Sequence, residues 1–215
     1  MTGISNRKRI WGWFFFDFAS QPYNTLLLNF IFGPYVKEAL GSGQEAQAAW
    51  GFGIGTAGML IAISAPIFGA MADTSGNRLR WIWAFSLLYM LGTAGLWWSE
   101  PDNFDLMRIM IFFGFGLIGM ELATIFTNSM LPDLGTKEEI GRISGNGWAF
   151  GYLGGLIALV IMLVFFAESA ATGKTFLGLA PPFGLAPDAR EGTRFVGPLA
   201  AIWFAEFMIP LVLYV

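Results

Sequence analysis

Cysteine and histidine are both missing from this sequence. Their absence excludes disulfides, thiol catalysis and the usual zinc and haem ligand sets. No cofactor and no metal are therefore expected, and acid–base chemistry would fall on carboxylates, lysine or tyrosine. With no nucleophile–base arrangement in sight, an enzyme is not the expectation. Charge is scarce too. Only 13% of the residues are charged, where a soluble domain carries about a quarter. The net charge of −3 comes with no basic stripe, so nucleic acid is not an expected partner. What fills the chain is hydrocarbon, with 55% hydrophobic residues, among them 22 Phe and 9 Trp.

A bilayer core requires about 20 mostly apolar residues per helix. Six stretches reach or approach that length: 10–36, 50–72, 81–98, 106–130, 143–166 and 195–215. Polar or turn-forming residues separate them at 37–49, 73–80, 99–105, 131–142 and 167–194. The expected architecture is all-α: a polytopic membrane protein with one six-helix bundle over 1–215. Arg7-Lys8-Arg9 is like the basic start of a signal peptide, but Asp17 interrupts the apolar run and the run continues too far, so a mature helix is expected. The 167–194 segment carries Pro181, Pro182 and Pro187 and reads as irregular or short-helical. The last helix is still apolar at Val215, which suggests truncation within or at the end of the sixth helix.

Cations near helix ends set orientation. With the N-terminus in the cytoplasm, Arg7, Lys8, Arg9, Arg78, Arg80, Lys137 and Arg142 lie inside, and Lys37, Arg108, Lys174, Arg190 and Arg194 outside. A bacterial inner membrane is the expected location.

Carboxylates at membrane depth are costly and usually face a bundle interior or a wet cavity. Three occur, Asp17, Glu121 and Glu206, with no Lys or Arg at mid-depth to pair with them. Asp17, Gln21 and Asn24 share one helix face, with Pro22 inside the stripe. Glu121, Thr124 and Asn128 form a second stripe on the fourth helix. At 1.5 Å per residue, Asp17 lies about 10 Å and Glu121 about 14 Å from the inner helix ends, so the stripes can meet. Interhelical hydrogen-bonding glue is the alternative for Gln21, Thr124 and Asn128. Asp17 and Glu121 are the candidates for carrying a proton or binding a cationic group, because glue requires no charge. Glu206 has no polar stripe and reads as structural.

Gly147, Gly151 and Gly155 recur at every fourth position on the fifth helix, and Gly51 and Gly55 do so on the second; both read as helix packing. Gly53-Ile54-Gly55-Thr56-Ala57-Gly58 matches a dinucleotide fingerprint but sits inside a membrane helix with no strand before it. Gly173-Lys174-Thr175 is like the end of a phosphate loop, but its first glycine would fall on Glu168. Neither nucleotide reading holds.

The turn Gly69-Ala70-Met71-Ala72-Asp73-Thr74-Ser75-Gly76-Asn77-Arg78 resembles the major facilitator superfamily signature G-x-x-x-D-R-x-G-R-R/K at Gly69, Asp73, Gly76 and Arg78, while Thr74 and Asn77 replace two usual cations. Phe16-Asp17-Phe18-Ala19-Ser20 with Tyr23-Asn24, then Asn128-Ser129-Met130-Leu131-Pro132-Asp133-Leu134, Gly141-Arg142-Ile143-Ser144-Gly145 and Gly147-Trp148-Ala149-Phe150-Gly151-Tyr152-Leu153-Gly154-Gly155, resemble its vacuole-effluxer-like branch. The resemblance runs along the whole chain but matches only the N-terminal half of a twelve-helix fold. It implies a transporter working by alternating access, with helices one and four lining a central cavity. Fungal members of the branch are linked to amino-acid efflux. The implied cavity residues are Asp17, Gln21, Asn24, Glu121, Thr124 and Asn128. The implied inner gate is Gly69, Asp73, Gly76 and Arg78, joined by Asp133 and Arg142. Phe150-Gly151 stands where the antiporter motif of drug exporters has Gly-Pro, so antiport is not implied. The expected partners are the lipid bilayer, a small-molecule solute, and the missing C-terminal six-helix half or a second copy of the chain. A non-transporting membrane scaffold or assembly subunit is the alternative.

Overall fold

The computed structural model describes residues 5–41, 43–74 and 77–215, and for Asp73 the backbone alone. The described residues are helical with no strand. Helix α1 (Asn6–Pro22) runs on as a π-helical segment, Tyr23–Phe30. A break at Ile31 (φ −117°) separates it from α2 (Phe32–Ala39), so the 10–36 stretch is two helices. Next come α3 (Gly43–Thr74), α4 (Arg78–Gly95), α5 (Leu106–Asn128) and α6 (Lys137–Ile161), the last with a π-helical end, Met162–Phe166. The short α7 (Glu191–Arg194), then α8 (Val196–Phe207) and α9 (Ile209–Tyr214), complete the chain. Five of these stretches are long and apolar enough to cross a membrane: Gly43–Ala72, Arg78–Trp98, Leu106–Asp133, Lys137–Phe166 and Glu191–Tyr214. The chain is an all-α integral membrane protein.

Helix α6 starts at Lys137, earlier than the apolar pattern alone suggests. Thr136 and Glu139 form a capping box there, each side chain meeting the other's backbone N–H. Polar helix ends are invisible to a hydropathy reading, because capping rather than burial determines them.

Two helix pairs dominate the packing, α4 with α5 and α1 with α6, and both depend on glycine. A Cβ on Gly92 would lie 2.3 Å from the backbone nitrogen of Gly116, and one on Gly119 would lie 2.5 Å from that of Tyr89. In the second pair, a Cβ on Gly147 would lie 2.3 Å from the Trp13 ring and one on Gly155 2.3 Å from the Thr25 hydroxyl. Small residues bring helix backbones together where hydrocarbon supplies no hydrophobic drive. Gly51 and Gly55 differ: among the described residues, no neighbouring element comes within 4 Å of a Cβ built at either position. Helix α3 touches little besides α5 and α2, and only 6% of its apolar window is buried.

Pro22 explains a contact across the bundle. It has no N–H to give the Phe18 carbonyl one turn back, and the Trp203 indole of α8 donates to that carbonyl instead, at 3.1 Å. Trp203→Phe is expected to cost about 1–3 kcal/mol, because a buried carbonyl loses its donor. Pro22→Ala in the same background should recover part of that loss by restoring the backbone N–H. A double-mutant cycle by thermal unfolding in detergent measures both.

Candidate functional site

A cavity of about 770 Å³ opens between α1, α5 and α6. Helix α1 contributes Asp17, Ser20 and Gln21, and its π-helical continuation contributes Asn24, Thr25 and Asn29. Helix α5 contributes Glu121 and Thr124 beside Met120. Five of the six residues expected to line a cavity thus share one wall. Asn128 does not: it is exposed at the inner end of α5, beyond the cavity lining. Glu206 is exposed on α8, away from the cavity.

Local structure explains the convergence. Pro22 and the π-helical turns after it rewind α1 in the middle of its polar stripe, and the Asn29 amide donates to the Asn24 carbonyl at 2.6 Å. The Asn24 amide reaches the Met120 sulfur at 3.8 Å, linking α1 to α5. Gly151 lets α6 approach until a Cβ there would lie 3.0 Å from the Asp17 Cβ. The tight glycine seam therefore runs directly behind the candidate carboxylate.

The wall carries two carboxylates and no cation. Asp17 Oδ2 is buried without a hydrogen-bond partner, and the Thr124 hydroxyl is used on its own helix, donating to the Met120 carbonyl at 2.8 Å. The remaining amides offer both donors and acceptors. Trp148 and Tyr152 of α6 form an aromatic side, edge to face with ring centroids 6.1 Å apart. Sequence reasoning missed this pair. The available signal was two aromatics four residues apart, each one position after a glycine of the Gly147/Gly151 seam. A cavity of this size, with eight polar or acidic side chains and an aromatic wall, has room for a small solute, and its unpaired carboxylates complement a cationic group.

At the end of the bundle near the N-terminus, Arg78 Nη1 meets Asp133 Oδ2 at 2.5 Å, joining the start of α4 to the 3₁₀ turn Leu131–Asp133 after α5. Arg78 Nε also donates to the Ala72 carbonyl at 3.2 Å, and Arg9 to the Asp133 carbonyl at 3.2 Å. The Leu-Pro-Asp-Leu stretch is thus the turn that presents Asp133. Arg142 pairs along its own helix with Glu139 at 3.4 Å, not with Asp133. Gly69 faces open space. The Asp73 side chain and Gly76 lie outside the described residues.

The 167–194 segment contains groups that sequence reasoning treated only as orienting cations. Arg194 is 2% exposed; its Nε donates to the Trp97 carbonyl at 2.8 Å and its Nη1 to the Ala189 carbonyl at 3.1 Å. Arg190 bridges Glu38 of α2 and Glu168. No hydropathy pattern marks a buried arginine whose partners are backbone carbonyls.

Residues 45–215 match the family model described as "Vacuole effluxer Atg22 like". The chain is similar to the uncharacterized MFS-type transporter YxiO of Bacillus subtilis (strain 168), with 23% identity over 207 residues, 94% of this chain and 45% of the relative. It is also similar to an uncharacterized protein of Aquifex aeolicus (strain VF5), with 32% identity over 130 residues, 58% of this chain and 32% of the relative. The chain thus spans less than half the length of either curated relative. No solved structure matches. Family-model coverage of most of the chain, together with the motifs quoted above, identifies it as a member of the vacuole effluxer Atg22-like family within the major facilitator superfamily.

Proposed function

We propose that the chain forms one six-helix bundle of a secondary transporter that moves a small solute by alternating access. Helix α1 with its π-helical continuation is the sixth crossing in this reading, and the N-terminus is cytoplasmic. The observation that carries it is the cavity in which Asp17, Glu121 and six neutral polar residues meet without a cation. Family membership and the MFS-type name of the Bacillus relative support the same reading. Asp17 and Glu121 bind the solute or carry the coupling proton, and a zwitterionic amino acid moved outward is the finer assignment. The open glycine face of α3, with Gly51, Gly55, Gly58 and Gly69 free of contacts among the described residues, receives the second bundle or a second copy. Arg78 and Asp133 form the inner latch that stabilises one of the two access states.

Flux through the full-length protein in proteoliposomes tests this, with a panel of labelled amino acids and an imposed pH gradient. Saturable counterflow of at least one is expected, and no solute flux in either direction sinks the reading. The latch has its own test. Arg78→Asp and Asp133→Arg should each lower flux about fivefold or more, the lower end of typical conformational couplings. The double exchange should recover most of it. Equal loss of folded protein in the membrane would instead make the pair structural.

A further inference from the structure

The network fastening the 167–194 segment includes a carboxylate that the transport reading does not use. Glu168 follows the end of α6, and its side chain has 0% exposed surface. Oε1 is well served: Arg190 Nε donates at 3.0 Å and the Thr193 hydroxyl at 3.1 Å. Oε2 is buried and has no partner.

Close to Oε2 lies another acceptor. A Cβ built on Gly192 would lie 2.1 Å from the Phe166 carbonyl oxygen and 2.2 Å from Glu168 Oε2, so both oxygens crowd one point over that glycine. Phe166 is the last residue of the π-helical end of α6, so no following helical turn supplies a donor to its carbonyl. Two oxygens with lone pairs but no hydrogen between them repel. A proton on the carboxyl converts the repulsion into an O–H donor directed at a carbonyl.

We propose that Glu168 is a proton-binding site of the outer cap, with the proton on Oε2 bridging to the Phe166 carbonyl and fastening the 167–194 segment to the end of α6.

The surroundings support a single titrating group. Arg190 also pairs with Glu38 of α2, so one cation serves two carboxylates. Arg194 is committed to the Trp97 carbonyl and Glu100, and the Tyr35 hydroxyl donates to the Ser99 carbonyl. Glu191 turns away to accept from the Ala186 N–H at 2.8 Å. Lys174 is exposed. Among the described residues Arg190 is therefore the only charged group bonded to the Glu168 carboxyl. Burial pushes that carboxyl above its ordinary range, with its own backbone N–H, the hydrogen bond and charge of Arg190 and the Thr193 hydroxyl pulling the other way. A carboxyl raised in the folded state contributes stability that is complete below its ordinary value and is lost as pH rises through the raised one. The cap is therefore tight in acid and loose in alkali. This holds whether or not the central cavity transports.

Full-length protein in detergent tests the site at about pH 5 and about pH 8. Infrared difference spectra should show the carbonyl stretch of protonated carboxyls at the lower pH, and Glu168→Gln should remove the contribution of one of them. Amide exchange, corrected to protection factors, reads the cap at Ser169, Thr175 and Phe176, whose N–H groups bond to the carbonyls of Lys174, Leu179 and Leu163. Their protection should fall on going to the higher pH, by up to about tenfold for each unit by which the carboxyl is raised. Glu168→Gln puts an amide N–H where the proton would be, so its cap should stay protected at both values. Gly192→Ala drives the two oxygens apart and should lower protection at both. Wild-type protection that is equal at the two values overturns the proposal. So does a Glu168→Gln protein that keeps the wild-type pH response.

Discussion

Asp17→Asn is expected to abolish transport by the full-length protein while leaving thermal stability unchanged or raised. The two effects have opposite signs for one reason. Asp17 Oδ2 is buried with no hydrogen-bond partner, and no cation lines the cavity around it. A carboxylate there contributes no bond to the bundle and carries a desolvation cost, which a neutral amide of the same shape relieves. A group retained against stability at a cavity wall is what the stability–activity trade-off predicts for a functional side chain. Loss of its charge should lower flux at least tenfold, about 1.4 kcal/mol of solute or proton binding. Glu121→Gln should act in the same direction, and Glu206→Gln, on an exposed face outside the cavity, should do nothing. Flux in proteoliposomes and melting in detergent on the same preparations decide it. A stability loss that matches the flux loss would make Asp17 part of the scaffold, and unchanged flux in both Asp17→Asn and Glu121→Gln would remove the carboxylates from the mechanism.

Arg194→Ala should be the most damaging single change outside the cavity. The guanidinium is 2% exposed and satisfies two carbonyls, those of Trp97 and Ala189. It also lies over the Trp97 ring, 4.9 Å from the centroid. Its ion pair with Glu100 is the minor part, since that carboxylate is 53% exposed and 3.3 Å away. Truncation leaves buried carbonyls without donors and a void between α7 and the end of α4, a loss of about 3–5 kcal/mol. Arg194→Lys should recover little, because one ammonium cannot reproduce the fork that holds carbonyls on two sides. The melting midpoint and the exchange of residues 186–194 report the effect. If Arg194→Ala melts within a degree or two of wild type, the anchor of the 167–194 segment lies elsewhere.

Much of the architecture was legible before any coordinates. In hydrocarbon every backbone polar group must be satisfied inside its own segment, so long apolar runs have few alternatives to a helix. The same constraint made the carboxylates conspicuous, and helical periodicity placed Asp17, Gln21 and Asn24 on one face and Glu121 and Thr124 on another. The glycine spacing of α6 reads as close packing and does so against α1, whereas the same spacing at Gly51 and Gly55 packs against no neighbouring element among the described residues. Periodicity specifies a face, and only the arrangement of neighbours decides what that face meets. The π-helical rewinding after Pro22 could not be read either, because a proline says where a helix loosens but not how it is mended. Here the Trp203 indole mends it.

Local chemistry, written in consecutive residues, therefore determined the helices, their membrane setting and the polar stripes. Tertiary structure alone decided which stripes share a cavity, that Asn128 falls outside it, that Arg78 selects Asp133 while Arg142 stays on its own helix, and that Glu168, Arg190 and Arg194 bind the 167–194 segment. The physical reason is range. Burial and helix propensity act over a few residues, whereas the contacts between elements join groups from 22 to 152 positions apart in the chain whose mutual approach depends on how the whole bundle packs.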